Sequence, residues 1–198
     1  MTTALWSLAI LLTVVFAVLL FIVWMRKLHF DRIHHNFLDL EDAFGGEVVR
    51  GGFAVRPRYR GTFEGRPFSV SITSGKSDRK RLHYIGVSMQ LKSPTTFSIL
   101  SDESLKDVDV DAERRKRMLP ILDDRYHLEV KARTHLAHLD VEALSRAVAA
   151  LDPFGYILVG RTNTMMERLS QTIFEDTRLD AMRPLLEGLS HLQKALAR

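Results

Sequence analysis

Several short runs in this chain imitate sites for phosphate, calcium or a metal, and each lacks a part that the chemistry needs. Ser74-Gly75-Lys76-Ser77 matches the end of a phosphate-binding loop, in which backbone N–H groups cradle a phosphate beside a lysine. That loop needs a glycine five residues before Gly75, and the position is Val70. Alternating residues on either side put the run between two strands, so no helix N-terminus faces it. Asp107-Val108-Asp109-Val110-Asp111 has the alternating carboxylates of a calcium loop. The sixth position, a glycine in such loops, is Ala112, and the twelfth, a bidentate Glu, is Met118. His135 and His138 could share one helical face, but no third ligand lies near them in the sequence. No serine sits in a Gly-x-Ser-x-Gly elbow. With no cysteine in 198 residues, thiolate metal sites, disulfides and cysteine nucleophiles are all excluded. No catalytic, cofactor-binding or metal-ligating residue is nominated, and a non-enzymatic protein without a cofactor is expected.

The elements that hold these residues are stated more clearly than any chemistry. Residues 1–25 contain no charge, so all 28 Lys and Arg and all 24 Asp and Glu fall in the rest. The run from Ala4 to Trp24, through Leu11, Phe16 and Leu20, is apolar and uncharged. About 20 helical residues cross a hydrocarbon core of about 30 Å. Trp6 and Trp24 stand near its ends, where amphipathic rings favour the membrane boundary. A cleaved secretory signal is disfavoured: the N-terminus has no Lys or Arg, the run is long, and Arg26-Lys27 follows in place of a small-residue cleavage site. Arg26, Lys27 and Arg32 flank only the C-terminal side. By the positive-inside rule the N-terminus is expected outside and the folded domain in the cytoplasm.

Beyond the span, Phe30, Ile33, Phe37, Leu40 and Phe44 recur at intervals of three and four, with charged residues and histidines between them. That spacing predicts an amphipathic helix over residues 26–45, stopped at Gly45-Gly46. Its stripe needs either the chain's own domain or a partner. His34-His35 is expected to point away from the stripe, towards headgroups. The remainder, 46–198, reads as one α+β domain. An antiparallel meander of about five strands is predicted up to Leu100, with a hairpin at Glu64-Gly65 and a polar turn over residues 74–80. Residues 101–124 read as irregular with a short helix near Ala112. A strand at Tyr126, a helix from Asp140 to Leu151, two strands from Tyr156 to Leu169, and a last helix from Pro184 complete it.

From Arg26 to Lys92 there are 13 Lys and Arg against 7 Asp and Glu; from Ser93 onward there are 15 against 17. The basic excess therefore lies next to the membrane. Arg26, Lys27, Arg32, Arg56, Arg58, Arg60, Arg66, Lys80 and Arg81 are the candidates for contact with the bilayer surface or a partner, because anionic headgroups attract such residues. Tyr59, Phe63 and Tyr84 do not form a stacking platform by spacing, so nucleic acid is disfavoured.

The stretch Arg60-Gly61-Thr62-Phe63-Glu64-Gly65-Arg66-Pro67-Phe68 resembles hairpins in uncharacterised bacterial proteins with one N-terminal membrane helix and a small α+β domain. The resemblance implies a bacterial inner membrane and no activity. The expected role is an accessory or scaffolding subunit of a larger membrane complex, with the bilayer and other subunits, or a second copy, as partners. A membrane-anchored module binding lipid or another ligand through a basic surface, and a membrane-bound enzyme, are the alternatives. The enzyme would need a pocket with converging polar side chains.

Overall fold

The computed structural model describes residues 2–52, 55–77, 80–107, 112–130 and 139–196. One helix, α1 (Thr2–Phe44), runs unbroken from the apolar N-terminus into the domain. Its first part is apolar, long enough to cross a membrane and exposed on every side, which is compatible with single-pass anchoring. Its last part lies in the core: Ile33, Phe37 and Leu40 are fully buried and Phe30 is 6% exposed. The helix stops at Gly45 and Gly46, both at positive φ, with Gly45 N–H donating to Glu41 O at 2.8 Å.

Among the described residues, nine strands form a single antiparallel sheet: β1 (Glu47–Val49), β2 (Arg58–Phe63), β3 (Arg66–Ser77), β4 (Lys80–Met89), β5 (Phe97–Ser101), β6 (Leu119–Ile121), β7 (Tyr126–Val130), β8 (Tyr156–Val159) and β9 (Thr164–Ser170). The order across the sheet is β1-β2-β3-β4-β9-β8-β5-β7-β6. The class is therefore α+β: a long N-terminal helix, an antiparallel sheet and C-terminal helices. The expected meander holds for four strands and then breaks, because β9 and β8 lie between β4 and β5. The expected polar turn is also shorter than residues 74–80. Strand pairing runs from Phe68↔Met89 out to Ser77↔Lys80, since a polar stretch can still pair through its backbone.

Between the strands lie α2 (Asp102–Asp107), α3 (Ala112–Lys116) and α4 (Val141–Ala149); α5 (Ile173–Asp176) and α6 (Leu179–Leu196) follow the last strand. Asp140 caps α4, its carboxylate accepting from Ala143 N–H at 2.9 Å. The last helix begins at Leu179 and not at Pro184. A proline one turn in removes one hydrogen bond, and burial of Met182, Leu185, Leu186 and Leu189 offsets that loss. Neither α2 nor α5 was legible as a helix, being too short to show a period.

One face of the sheet carries the main core. Tyr59, Val70, Val87, Met166, Ile157, Ile99 and Leu128 form a continuous row across seven strands, packed under α1, α4 and α6. On the other face, α2 and α3 cover only one end through Leu100, Leu105, Met118 and Tyr156. Bidentate pairing of Arg114 with Glu129 at 2.6 and 2.7 Å holds that cover down.

Two tyrosines tie ends of elements together. Tyr59 Oη lies 2.6 Å from Gly45 O and 3.1 Å from Leu40 O, so its one hydroxyl hydrogen is shared between carbonyls at the end of α1 and ties β2 to that end. Tyr126 donates to the Asp152 carboxylate, accepts from Phe154 N–H, and stacks on the Phe154 ring at 4.2 Å. Burial, with Glu41 adding repulsion, pushes Tyr59 up to about 12. Burial, with the bond to Asp152, does the same for Tyr126. A raised phenol pKa favours the fold while the phenol is protonated. That stabilisation is complete below pH 10 and is lost as pH rises from 10 to about 12. Absorbance titration at alkaline pH should find a phenolate component near 12 that Tyr59→Phe and Tyr126→Phe each diminish. A titration complete near pH 10 in the folded protein would contradict this.

Candidate membrane-proximal site

The chain direction decides which residues lie near the apolar end of α1. After the reversal at Gly45-Gly46, β1 runs back along α1, β2 runs away, β3 returns, and β4 runs away again. The loop between β1 and β2 and the end of the β3–β4 hairpin therefore point the same way as the exposed part of α1. The turn Glu64-Gly65 lies at the opposite end, where Ser190 of α6 donates to Glu64 at 2.5 Å and Arg66 donates to Ser190 at 3.0 Å.

The five residues of the stripe all meet the chain's own domain. Phe37 packs against Tyr59 with ring centroids 6.2 Å apart, and Phe44 meets Phe63 and Phe68 edge-on at 5.6 and 6.0 Å. Phe30, Ile33 and Leu40 join the same core cluster. Asn36, between stripe residues, donates to Phe174 O at 2.6 Å and Thr177 Oγ1 at 2.9 Å, and so links α1 to α5. Two of the span residues mark its exposed ends: Trp6 is 71% and Trp24 54% exposed. Leu11, Phe16 and Leu20 are exposed between them, and Ala4 lies in α1 with its side chain outside the described residues.

The nine basic candidates do not form one patch. Arg66 sits at the far end against Glu64 and Ser190. Arg58 and Arg60 project from the outer face of β2, and Arg60 lies 3.6 Å from Glu47. Near the apolar end of α1, Arg26 covers the Phe30 ring at 5.4 Å and Lys27 pairs with Asp31 at 2.9 Å. Arg32 is exposed on the same helix. Arg56 donates to Ser74 Oγ at 2.8 Å. Lys80 and Arg81 occupy β4 where the hairpin runs past the last β4–β9 pair, His83↔Ser170; their side chains are outside the described residues.

Sequence reasoning missed Arg50. It donates to Asp31 Oδ1 at 2.6 Å and to Gly52 O at 3.0 Å, pinning the start of the β1–β2 loop to α1. Arg50 first and Lys27 second hold the Asp31 carboxyl below the usual carboxylate range. Asp31 and Arg50 are 19 residues apart, so spacing could not have paired them; the one signal was a carboxylate set among Arg26, Lys27 and Arg32. His34 also departs from expectation: its Nδ1 is enclosed without a hydrogen-bond partner, so the ring is not directed freely outward.

Among the described residues, no group of three or more His, Asp or Glu is placed to hold a metal ion. His135 and His138 lie outside the described residues, as does most of the acidic run 107–111. One surface hollow, about 480 Å³, is lined by Asp39, Arg178, Leu179, Asp180 and Arg183. Its cations are engaged, Arg178 with Glu175 and Asp180 at 3.4 Å and Arg183 over the Phe44 ring at 5.4 Å. A second hollow, about 230 Å³, lies between α4 and α6 beside Ser93 and Thr95.

No protein family matches the sequence, and no curated protein does. Among solved structures, the crystal structure of the mycobacterial trehalose monomycolate transport factor A is similar, with a TM-score of 0.43 and 11% identity. The alignment covers 83% of this chain and 96% of that one. A likeness at this level transfers no site or substrate.

Proposed function

We propose that this chain is a non-enzymatic, single-pass membrane protein that serves as an accessory or scaffolding subunit of a larger membrane complex. One observation carries the reading: a single helix is apolar and exposed along its first half and buried in the domain core along its second. Such a helix holds the domain directly against the bilayer, which suits a part that positions others. From the flanking Arg26, Lys27 and Arg32, the reading places the domain on the cytoplasmic face of a bacterial inner membrane. The bilayer and neighbouring membrane subunits, or a second copy, are the partners.

Purification of the whole chain in mild detergent tests this. A defined assembly larger than the monomer, with photocrosslinks from positions along Leu5 to Trp24 to the same neighbour, is the expected result. A lone monomer with crosslinks to lipid only would overturn it.

A further inference from the structure

We propose that the uncovered part of the sheet's outer face is the docking surface for a second copy of this chain, joined about a two-fold axis parallel to the strands. This rests on reading α1 as the anchor.

The face is open and shaped for a second sheet. Among the described residues α2 and α3 cover it only over β5, β7 and β8, which leaves β1, β2, β3, β4 and β9 bare. At its centre the side chains are short: Ser69 pairs with Ser88 across β3 and β4, and Ser71 with Gly86. In the row of Ser88, Met165 follows on β9 and Leu158, 36% exposed, on β8. A centre of serine and glycine lets a second sheet approach to about 10 Å or closer.

The charges on this face are two halves of a pair. Arg58 projects from β2, one step on from the Tyr59↔Val70 pair and so level with Ser71. Glu167 projects from β9 in the same row, through Ser71↔Gly86 and Gly86↔Glu167. Among the described residues neither side chain makes an ion pair. With β3 and β4 between them they stand three strand spacings apart, about 14 Å, and do not meet within one copy.

A two-fold axis along the strands, midway between β3 and β4, turns that separation into contact. It lays β2 of each copy over β9 of the other and β3 over β4. Arg58 of each copy then faces Glu167 of the other, and the serines and Gly86 meet at the centre. The contact is isologous, made twice with the same residues. The membrane selects this axis. α1 runs along the strand direction, so a two-fold in that direction sends both anchors into one bilayer from one side, whereas a two-fold across the strands points them opposite ways. The α2–α3 cover of each copy falls outside β1, the last strand of the other's sheet, and does not block the approach. Since α1 packs on the core face, the two spans stand on outer flanks and do not touch.

The area is sufficient. From β1 to β8 the face measures about 29 by 20 Å, or about 1,200 Å² counting both copies, the lower bound of specific interfaces. Anchoring both copies in one bilayer raises their effective concentration and offsets the small area.

The chain has no native cysteine, so introduced thiols are the only reactive ones. In membranes holding the whole chain, a short bis-maleimide should join copies through Ser69→Cys or Ser88→Cys at least tenfold more than through Glu142→Cys on α4. Light scattering of the solubilised chain should give a dimer mass. Arg58→Glu and Glu167→Arg should each weaken dimerisation at least tenfold, because each sets like charges face to face. Mixing the two variants should restore it, since every contact then holds opposite charges again, and restoration also shows that both variants fold. A dimer untouched by both reversals, or weakened by them and not restored on mixing, would overturn the pairing of Arg58 with Glu167. A monomer whose Ser69→Cys crosslinks no better than Glu142→Cys would overturn the docking surface, and photocrosslinks from the span to a different subunit would then leave the accessory role standing. Capture of a different protein at Ser69→Cys would overturn the second copy as occupant. Release of the chain from the membrane by alkaline carbonate would overturn the anchor itself.

Discussion

Gly46→Ala is expected to destabilise the domain by about 3 kcal/mol or more. Two costs combine. Gly46 has φ +103, a region that side-chain-bearing residues rarely adopt. An added Cβ would also stand 2.0 Å from Arg60 O and 2.7 Å from Gly61 Cα. Both are backbone atoms of β2, so no side chain can swing aside to make room. Relief would require moving β2 away from the end of α1 and breaking the bonds from Tyr59 to Gly45 and Leu40. Gly45→Ala is the control. Gly45 also has positive φ, +66, but nothing lies within 4 Å of its added Cβ. Only backbone strain remains there, about 1 kcal/mol. Thermal unfolding of the two variants in detergent or nanodiscs should separate them clearly; equal melting shifts would show that β2 yields.

The second large effect is expected at Phe37. Its side chain is fully buried between α1 and Tyr59. Truncation to alanine removes the ring and leaves a cavity that a helix pinned on both sides cannot close, a loss of about 3–5 kcal/mol. The next residue, Leu38, is 37% exposed, and its truncation should cost less than about 1 kcal/mol. Denaturant unfolding followed by far-ultraviolet circular dichroism measures both. Similar losses at the two positions would mean that this turn of α1 is not locked into the core as described.

Periodicity carried some of this fold and not the rest. Phe30 to Phe44 repeat at helical spacing, so the buried stripe of α1 was legible, as were its glycine stop and the cap at Asp140. These are local: the residues that determine each feature lie within a few positions. Sheet order is not local. That β9 and β8 lie between β4 and β5 depends on which strand edges meet after collapse, and nothing in Thr164 to Ser170 names Lys80 to Met89 as its partner. The site followed the same division. Arg26 and Lys27 were legible as cations beside the span because the span is next to them in sequence. Arg66 was grouped with them by charge, although one strand length carries it to the far end. Arg50 was passed over because its partner Asp31 lies on another element.

The continuity of α1 has a further consequence. No glycine, proline or break separates Trp24 from the buried Phe30, so the span and the domain share one torsional register. At 3.6 residues per turn, each residue along such a shaft advances the direction faced by about 100°. The compass bearing of the sheet around the axis of α1 is thus fixed by the same turns that fix which way each side of the apolar half faces. A neighbour that rotates the span rotates the domain through the same angle, and one that grips the domain orients the span.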